Sequence, residues 1–246
     1  GYYCPLAEMM MGRTAEVLVE EYGISREAQD RFALESHRKA VRAWEEGLFD
    51  AEVVPVEAPG RKGKTVLEED ERPRSDTSME KLARLRPVFK EGGTITAGNA
   101  SGITDGAAAT VVIAAERAAA WGIEPLARIE AFASGAVHPR RMGMGPVPAT
   151  RKVMARTGLS FEHVDLIELN EAFAGQVLAV ERELDWDTEK RNVHGGAVAL
   201  GHPTGCTGTR IVVTLLYAMR QRDAEIGLAT LCVSGGLGMA LLVRRV

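Results

Sequence analysis

Cysteine is scarce in this chain. Three residues among 246, Cys4, Cys206 and Cys232, are too few and odd in number for a disulfide framework, and they point to a reducing compartment. Charge of one sign is not in excess. A net charge of −4 supplies no basic field for nucleic acid and no attraction to an anionic membrane. No apolar run approaches transmembrane length, no secretory signal is visible, and no internal repeat is evident. These absences set the expectation of a cytoplasmic protein with neither nucleic acid nor membrane as partner. An initiating methionine is also lacking: the chain opens "GYYCPLAEMMMGRTAE", a loop-like start that a tag, a processing event or a truncation would produce. What is present is ordinary for a globular protein. Hydrophobic residues make up 46% and charged residues 26%, with length for one large or two modest domains.

The chain has two styles. Residues 1–103 are charged and helix-rich. "GRTAEVLVEEYG" predicts a short helix stopped at Gly23. Ser25 predicts the cap of a second helix, "REAQDRFALESHRKAVRAWEEG", with an incomplete apolar stripe (Phe32, Leu34, Val41, Trp44), an otherwise solvated face and a stop at Gly47. "AEVVPVE" and "KTVLEED" read as strands and "SMEKLARL" as a short helix. "GGTITAGNASGITDGAAA" is too polar and too small-residued for a core element, and reads as a loop with a reason to exist. From residue 104 on, "AAATVVIAA", "LARIEAFASGAV", "VDLIELN", "EIGLATLCVSGG" and "MALLVRR" are apolar runs of strand length. Helical patterns separate several of them: "ATRKVMARTG", "EAFAGQVLAVERE" and "TGCTGTRIVVTLLYAMRQ". That alternation predicts a covered, largely parallel sheet with crossover helices.

Three loops in the second part can carry chemistry. One is the strand-to-helix turn at Asn170 and Glu171, since α/β proteins place sites at the carboxyl ends of buried strands. The others are "GGAVALGHPTGCTGTR" (195–210) and "CVSGGLGMA" (232–240). Their glycines allow close approach of backbone N–H groups to a ligand. A cysteine meeting a histidine makes either a metal site or thiolate chemistry. With one of each in these loops and no second ligand pair at tight spacing, metal is the weaker choice and none is expected. Taken singly, Cys232 reads as a small core residue, His202 as a turn residue and Asn170 as a helix cap. Cys206, His138, His163 and His194 keep such structural readings.

"NEAFA", "GGAVALGHPTGCTGTR" and "CVSGGLGMA", in this order, closely resemble the C-terminal signatures of thiolases, the acetyl-CoA C-acyltransferase family. "MGRTAE", "YGISREAQDRFALESHRKA", "DERPR", "LRPVF", "TAGNASGITDGAAA" and "MGMGPVPATRK" extend the resemblance over essentially the whole chain. It implies a layered αβαβα fold of the thiolase type. Of this fold the chain would hold the C-terminal half (125–246), a CoA-covering loop domain (1–103) incomplete at its start, and the last strand and helix (104–124) of an otherwise missing N-terminal domain. It further implies reversible Claisen condensation of acyl-CoA thioesters, or thiolysis of 3-ketoacyl-CoA, through a cysteine acyl-enzyme. No cofactor is expected beyond CoA thioesters as substrates, and a homodimer or homotetramer is expected.

The resemblance also implies roles, and it reverses the structural readings of Asn170, His202 and Cys232. Cys232 matches the family's acid/base cysteine. His202 matches the histidine that activates the nucleophile and binds a thioester oxygen. Asn170 matches the asparagine that holds a water in an oxyanion hole. Glu171 is expected to orient His202 or a loop backbone. Phe173, Met11 and Met142 match the wall around the acyl group. Arg74, Ala97 and Ser101 match contacts to CoA. Two positions depart from the family: Met10 stands where a histidine often contacts CoA, and Ser234 where the last loop usually has glycine. Neither Cys4 nor Cys206 matches the nucleophile, which family members carry in the missing half, so this chain alone is expected to be inactive. A non-catalytic acyl-CoA-binding subunit is the alternative. A ketoacyl-synthase type of condensing enzyme would carry a histidine at position 232.

Overall fold

The computed structural model describes residues 2–60 and 63–246. A two-residue ladder, β1 (Tyr3–Cys4) with β2 (Met9–Met10), leads into α1 (Met11–Glu21). Chain reversal after α1 passes through Gly23, whose φ of +57° is open to glycine at no steric cost. The second helix, α2 (Arg26–Glu45), starts where the Ser25 side chain accepts a hydrogen bond from Ala28 N. The sequence predicted a largely solvated face here. The helix instead buries Gln29, Asp30, Phe32, Ser36, His37 and Ala40, because it lies across two later helices, Ala174–Glu181 and Ala197–Leu200. Its polar residues are buried with partners: Asn99 Nδ2 donates to Asp30, and Ser36 donates to Glu171.

An exposed antiparallel hairpin follows, β3 (Val56–Gly60) with β4 (Gly63–Leu67). Residues 51–55 of the expected first strand lie outside it. Then α3 (Met79–Ala83) is capped by Ser78. The small-residue loop is irregular as expected, yet it buries Ile95, Thr96, Asn99 and Ala100. The predicted strand "AAATVVIAA" does not form. Residues 107–114 have no regular structure, and Val111 is 90% exposed. A strand needs a neighbouring ladder for its backbone groups, and no described strand lies alongside this one. Only α4 (Ala115–Ala120) forms there.

The remaining residues build one four-stranded sheet, ordered β5-β8-β7-β6, from β5 (Ala127–Ala136), β6 (Leu166–Leu169), β7 (Ile226–Val233) and β8 (Leu237–Arg245). Only β6 and β7 are parallel; β7–β8 and β8–β5 are antiparallel. The expectation of a mostly parallel sheet therefore fails. The "SGG" turn after Val233 makes β7 and β8 a hairpin, and both Gly235 and Gly236 have φ of +87°. One sheet face packs on α5 (Pro146–Thr157) and α6 (Ala174–Glu181), in a core holding Val153, Ile167, Val177, Leu228 and Leu242. The other face meets α8 (Thr207–Gln221), which follows the single-turn α7 (Ala197–Leu200), through Leu166, Ile211, Leu215 and Val243. Beyond the reach of α8, Phe132 and Met239 stay exposed at 61% and 46%. Among the described residues no helix is long and apolar enough to cross a membrane.

Candidate active site

Parallel pairing of β6 with β7 carries Leu169 opposite Thr230, and Asn170 N donates to Thr230 O at 3.0 Å. Asn170 and Cys232 therefore lie at the carboxyl ends of adjacent strands. Gly201, at φ +101°, turns the chain so that His202 N donates to Gly102 O. His202 Nε2 then lies 3.4 Å from Asn170 Nδ2. The other ring nitrogen, Nδ1, lies 2.6 Å from Thr207 Oγ1. Burial, and secondarily the charge of Arg210, pushes the His202 imidazole down to about 4. The ring is neutral at pH 7.

Cys232 sits in a small apolar cluster with Ala15, Ile95, Ala100, Met142, Ala172 and Phe173, bordered by Met11 and Phe89. Phe89 and Phe173 meet edge to face, 5.9 Å apart. Burial pushes the Cys232 thiol up to about 12, so at neutral pH it holds a proton. Four of the residues singled out in the sequence, Cys232, Phe173, Met11 and Met142, thus share one apolar wall, and Asn170 with His202 form a polar pair at the same sheet edge. Ser234 is exposed and its side chain hydrogen-bonds Cys4. Burial raises the Cys4 thiol, but that bond and backbone bonds at Ala7, Gly235 and Leu6 outweigh it and lower the titration.

Glu171 has no hydrogen bond to His202, and its backbone partner is Val198 N. Fully buried, it accepts from Ser36 Oγ at 2.6 Å, Asn192 Nδ2 at 2.8 Å and Val198 N at 3.1 Å. Asn192, at φ +45°, also bonds both backbone groups of Leu169 at 2.9 Å, standing in for a strand neighbour at the edge of β6. The small-residue loop is sewn to the same turn, as Ser101 N donates to Ala172 O and Ala174 N to Asn99 O. Arg74 and Ala97 lie farther out and are exposed; Arg74 N donates to His37 Nδ1 at 3.2 Å. Sequence reasoning missed Ser36, Asn192 and Thr207. The only signal for Thr207 was a hydroxyl one turn past a histidine. Among the described residues no group of three or more His, Cys, Asp or Glu is arranged to hold a metal ion.

This arrangement of sheet and helices superposes on solved structures of thiolases. The structure of the Bacillus anthracis acetyl-CoA acetyltransferase superposes with a TM-score of 0.97 at 49% identity, covering 100% of this chain and 62% of that one. The human mitochondrial 3-ketoacyl-CoA thiolase in complex with CoA superposes with a TM-score of 0.91 at 37% identity, over 100% of this chain and 61% of that one. The chain belongs to the thiolase family: residues 1–116 match the family model "Thiolase, N-terminal domain" and residues 123–245 "Thiolase, C-terminal domain". The acetyl-CoA acetyltransferase of Escherichia coli K12 is 54% identical over 245 residues, 100% of this chain and 62% of the relative. That of Pseudomonas aeruginosa PAO1 is 53% identical over 236 residues, 96% of this chain and 60% of the relative. The chain thus spans about three fifths of the length of these relatives.

Proposed function

We propose that this chain is the part of a thiolase that supplies the acid/base cysteine, the histidine and the oxyanion-hole asparagine. The reaction is thiolysis of 3-ketoacyl-CoA, or its reverse, condensation of acetyl-CoA with an acyl-CoA. The observation that carries this reading is the 3.4 Å pairing of Asn170 with His202 beside the apolar wall that holds Cys232. Charge develops on a thioester oxygen in both half-reactions, and preorganised donors lower the barrier by stabilising it. His202, neutral at pH 7, can take the proton of an incoming thiol. Cys232, held as a thiol, has a proton to give to the α-carbon in the thiolytic direction. Met11, Met142 and Phe173 suit a small acyl group, and Ser101, Ala97 and Arg74 form a path outward for the pantetheine and nucleotide of CoA. Glu171 holds the loop that carries His202, and the backbone beside Ser234 completes the rim. We place the protein in the cytoplasm, as a homo-oligomer on the degradative side of acyl-CoA metabolism.

The nucleophile is assigned outside this chain. Incubated with acetyl-CoA, the chain should gain no acetyl group by intact mass; an adduct on Cys4 or Cys206 would show the nucleophile misplaced. In a full-length protein carrying these residues, Cys232→Ala should spare acylation of the nucleophile. It should abolish exchange of the acetyl α-protons with deuterated solvent, because Cys232 is the group assigned to move the proton at carbon. Exchange at the unmutated rate would remove Cys232 from the mechanism.

A further inference from the structure

A neutral imidazole carries its proton on one ring nitrogen only, and the partner of the other nitrogen decides which. Thr207, the first residue of α8, is 1% exposed. Its hydroxyl lies 2.6 Å from His202 Nδ1 and 3.0 Å from Pro203 O. A hydroxyl has one proton to donate. Pro203 O also accepts from Cys206 N at 2.8 Å and Thr207 N at 2.9 Å. A hydroxyl lone pair held 3.0 Å from that oxygen would be repelled, so the contact favours placing the proton there and turning a lone pair of Thr207 to His202. In that arrangement Nδ1 is the donor. On the far side of the ring the Asn170 amide lies 3.4 Å from Nε2.

We propose that Thr207 is a positioning residue that locks His202 as the Nδ1–H tautomer and leaves the Nε2 lone pair as the proton-accepting atom at the sheet edge. Its catalytic consequence rests on the thiolase reading above. A substrate or enzyme thiol would pass its proton to Nε2, giving thiolate and an imidazolium whose Nδ1–H still points at Thr207. Burial keeps the resting ring neutral, so this lone pair is free at pH 7. With the other tautomer, Nε2–H would face the thiol and no acceptor would be available without a ring flip.

The test is the tautomer itself, read by long-range proton–nitrogen correlation on the chain with 15N-labelled histidine at pH 7. The His202 pattern is identified by its disappearance in His202→Asn. The expected result is a protonated Nδ1 and a bare Nε2 in the unmutated chain and in Thr207→Ser. Thr207→Val, which cannot accept the bond, should lose the single-tautomer pattern, with the Nε2–H form rising several-fold. The patterns of His37, His138, His163 and His194 report whether each variant is folded; if Thr207→Val is not, Thr207→Ala replaces it. An Nε2–H ring in the unmutated chain, or an unchanged pattern in a folded variant lacking the hydroxyl, would overturn the proposal. No substrate enters the measurement. Failure of the tautomer lock would leave acyl transfer standing, and failure of acyl transfer would leave the lock standing.

Discussion

At the scale of the residue, burial sets charge states more strongly than pairing does. Glu168 lies on β6, 2% exposed, with Arg210 3.6 Å away, beyond a good hydrogen bond. Burial pushes its carboxyl up to about 8, against the pull of Arg210. A carboxyl whose folded titration is raised adds stability below its unfolded value of 4.5, and that contribution is lost as pH rises through about 8. His37, His194 and His202 work in the opposite direction. Burial first, and neighbouring arginines second, push each down to about 4, so they remove stability as pH falls below 6.5. Between pH 7 and pH 9 Glu168 loses its proton in the folded chain, and the cysteines that also begin to titrate there are the same in Glu168→Gln. The unmutated chain should therefore lose about 1 kcal/mol more than Glu168→Gln over that interval, measured by urea unfolding at both pH values. Equal losses would mean that Glu168 is already ionised at pH 7. Little of this was legible beforehand. Asn170, His202 and Cys232 carried recognisable neighbours, whereas Ser36, Asn192 and Thr207 act through hydrogen bonds to segments whose proximity no local pattern encodes.

At the scale of the element, most helices and strands follow from periodicity and caps, and the exceptions have physical causes. Ser25 marks a helix start correctly because an N-cap is a local interaction, and Ser78 caps the short helix in the same way. The failed strand at 107–115 has strand composition without a neighbour to pair with. The parallel sheet was misjudged because a strand's apolar run does not show its direction; only the short "SGG" turn betrays the β7–β8 hairpin. Close packing of elements also leaves a trace in glycine. A Cβ on Gly238 of β8 would lie 2.0 Å from Gly145 O, just before α5, and both neighbours are backbone. Gly238→Ala should cost about 2–4 kcal/mol as β8 and α5 are forced apart. Gly205→Ala meets nothing within 4 Å and should stay within about 0.5 kcal/mol. Thermal unfolding of the two variants side by side checks this, and equal midpoints would refute the close approach.

At the scale of the whole molecule, Glu171 matters more than its size suggests. Its carboxylate joins α2, the edge of β6 and the segment before His202, through partners as far as 135 residues away in sequence. Contacts of such separation form only after a large loop has closed, which delays them along the folding route. Glu171 is thus expected to become native late, once α2 has docked on the sheet edge. Glu171→Gln should speed unfolding severalfold and leave the refolding rate nearly unchanged, as stopped-flow denaturant jumps would read. A slowed refolding limb would instead put this carboxylate in the nucleus. A single carboxylate thereby ties the integrity of the candidate site to the docking of a helix more than a hundred residues earlier in the chain.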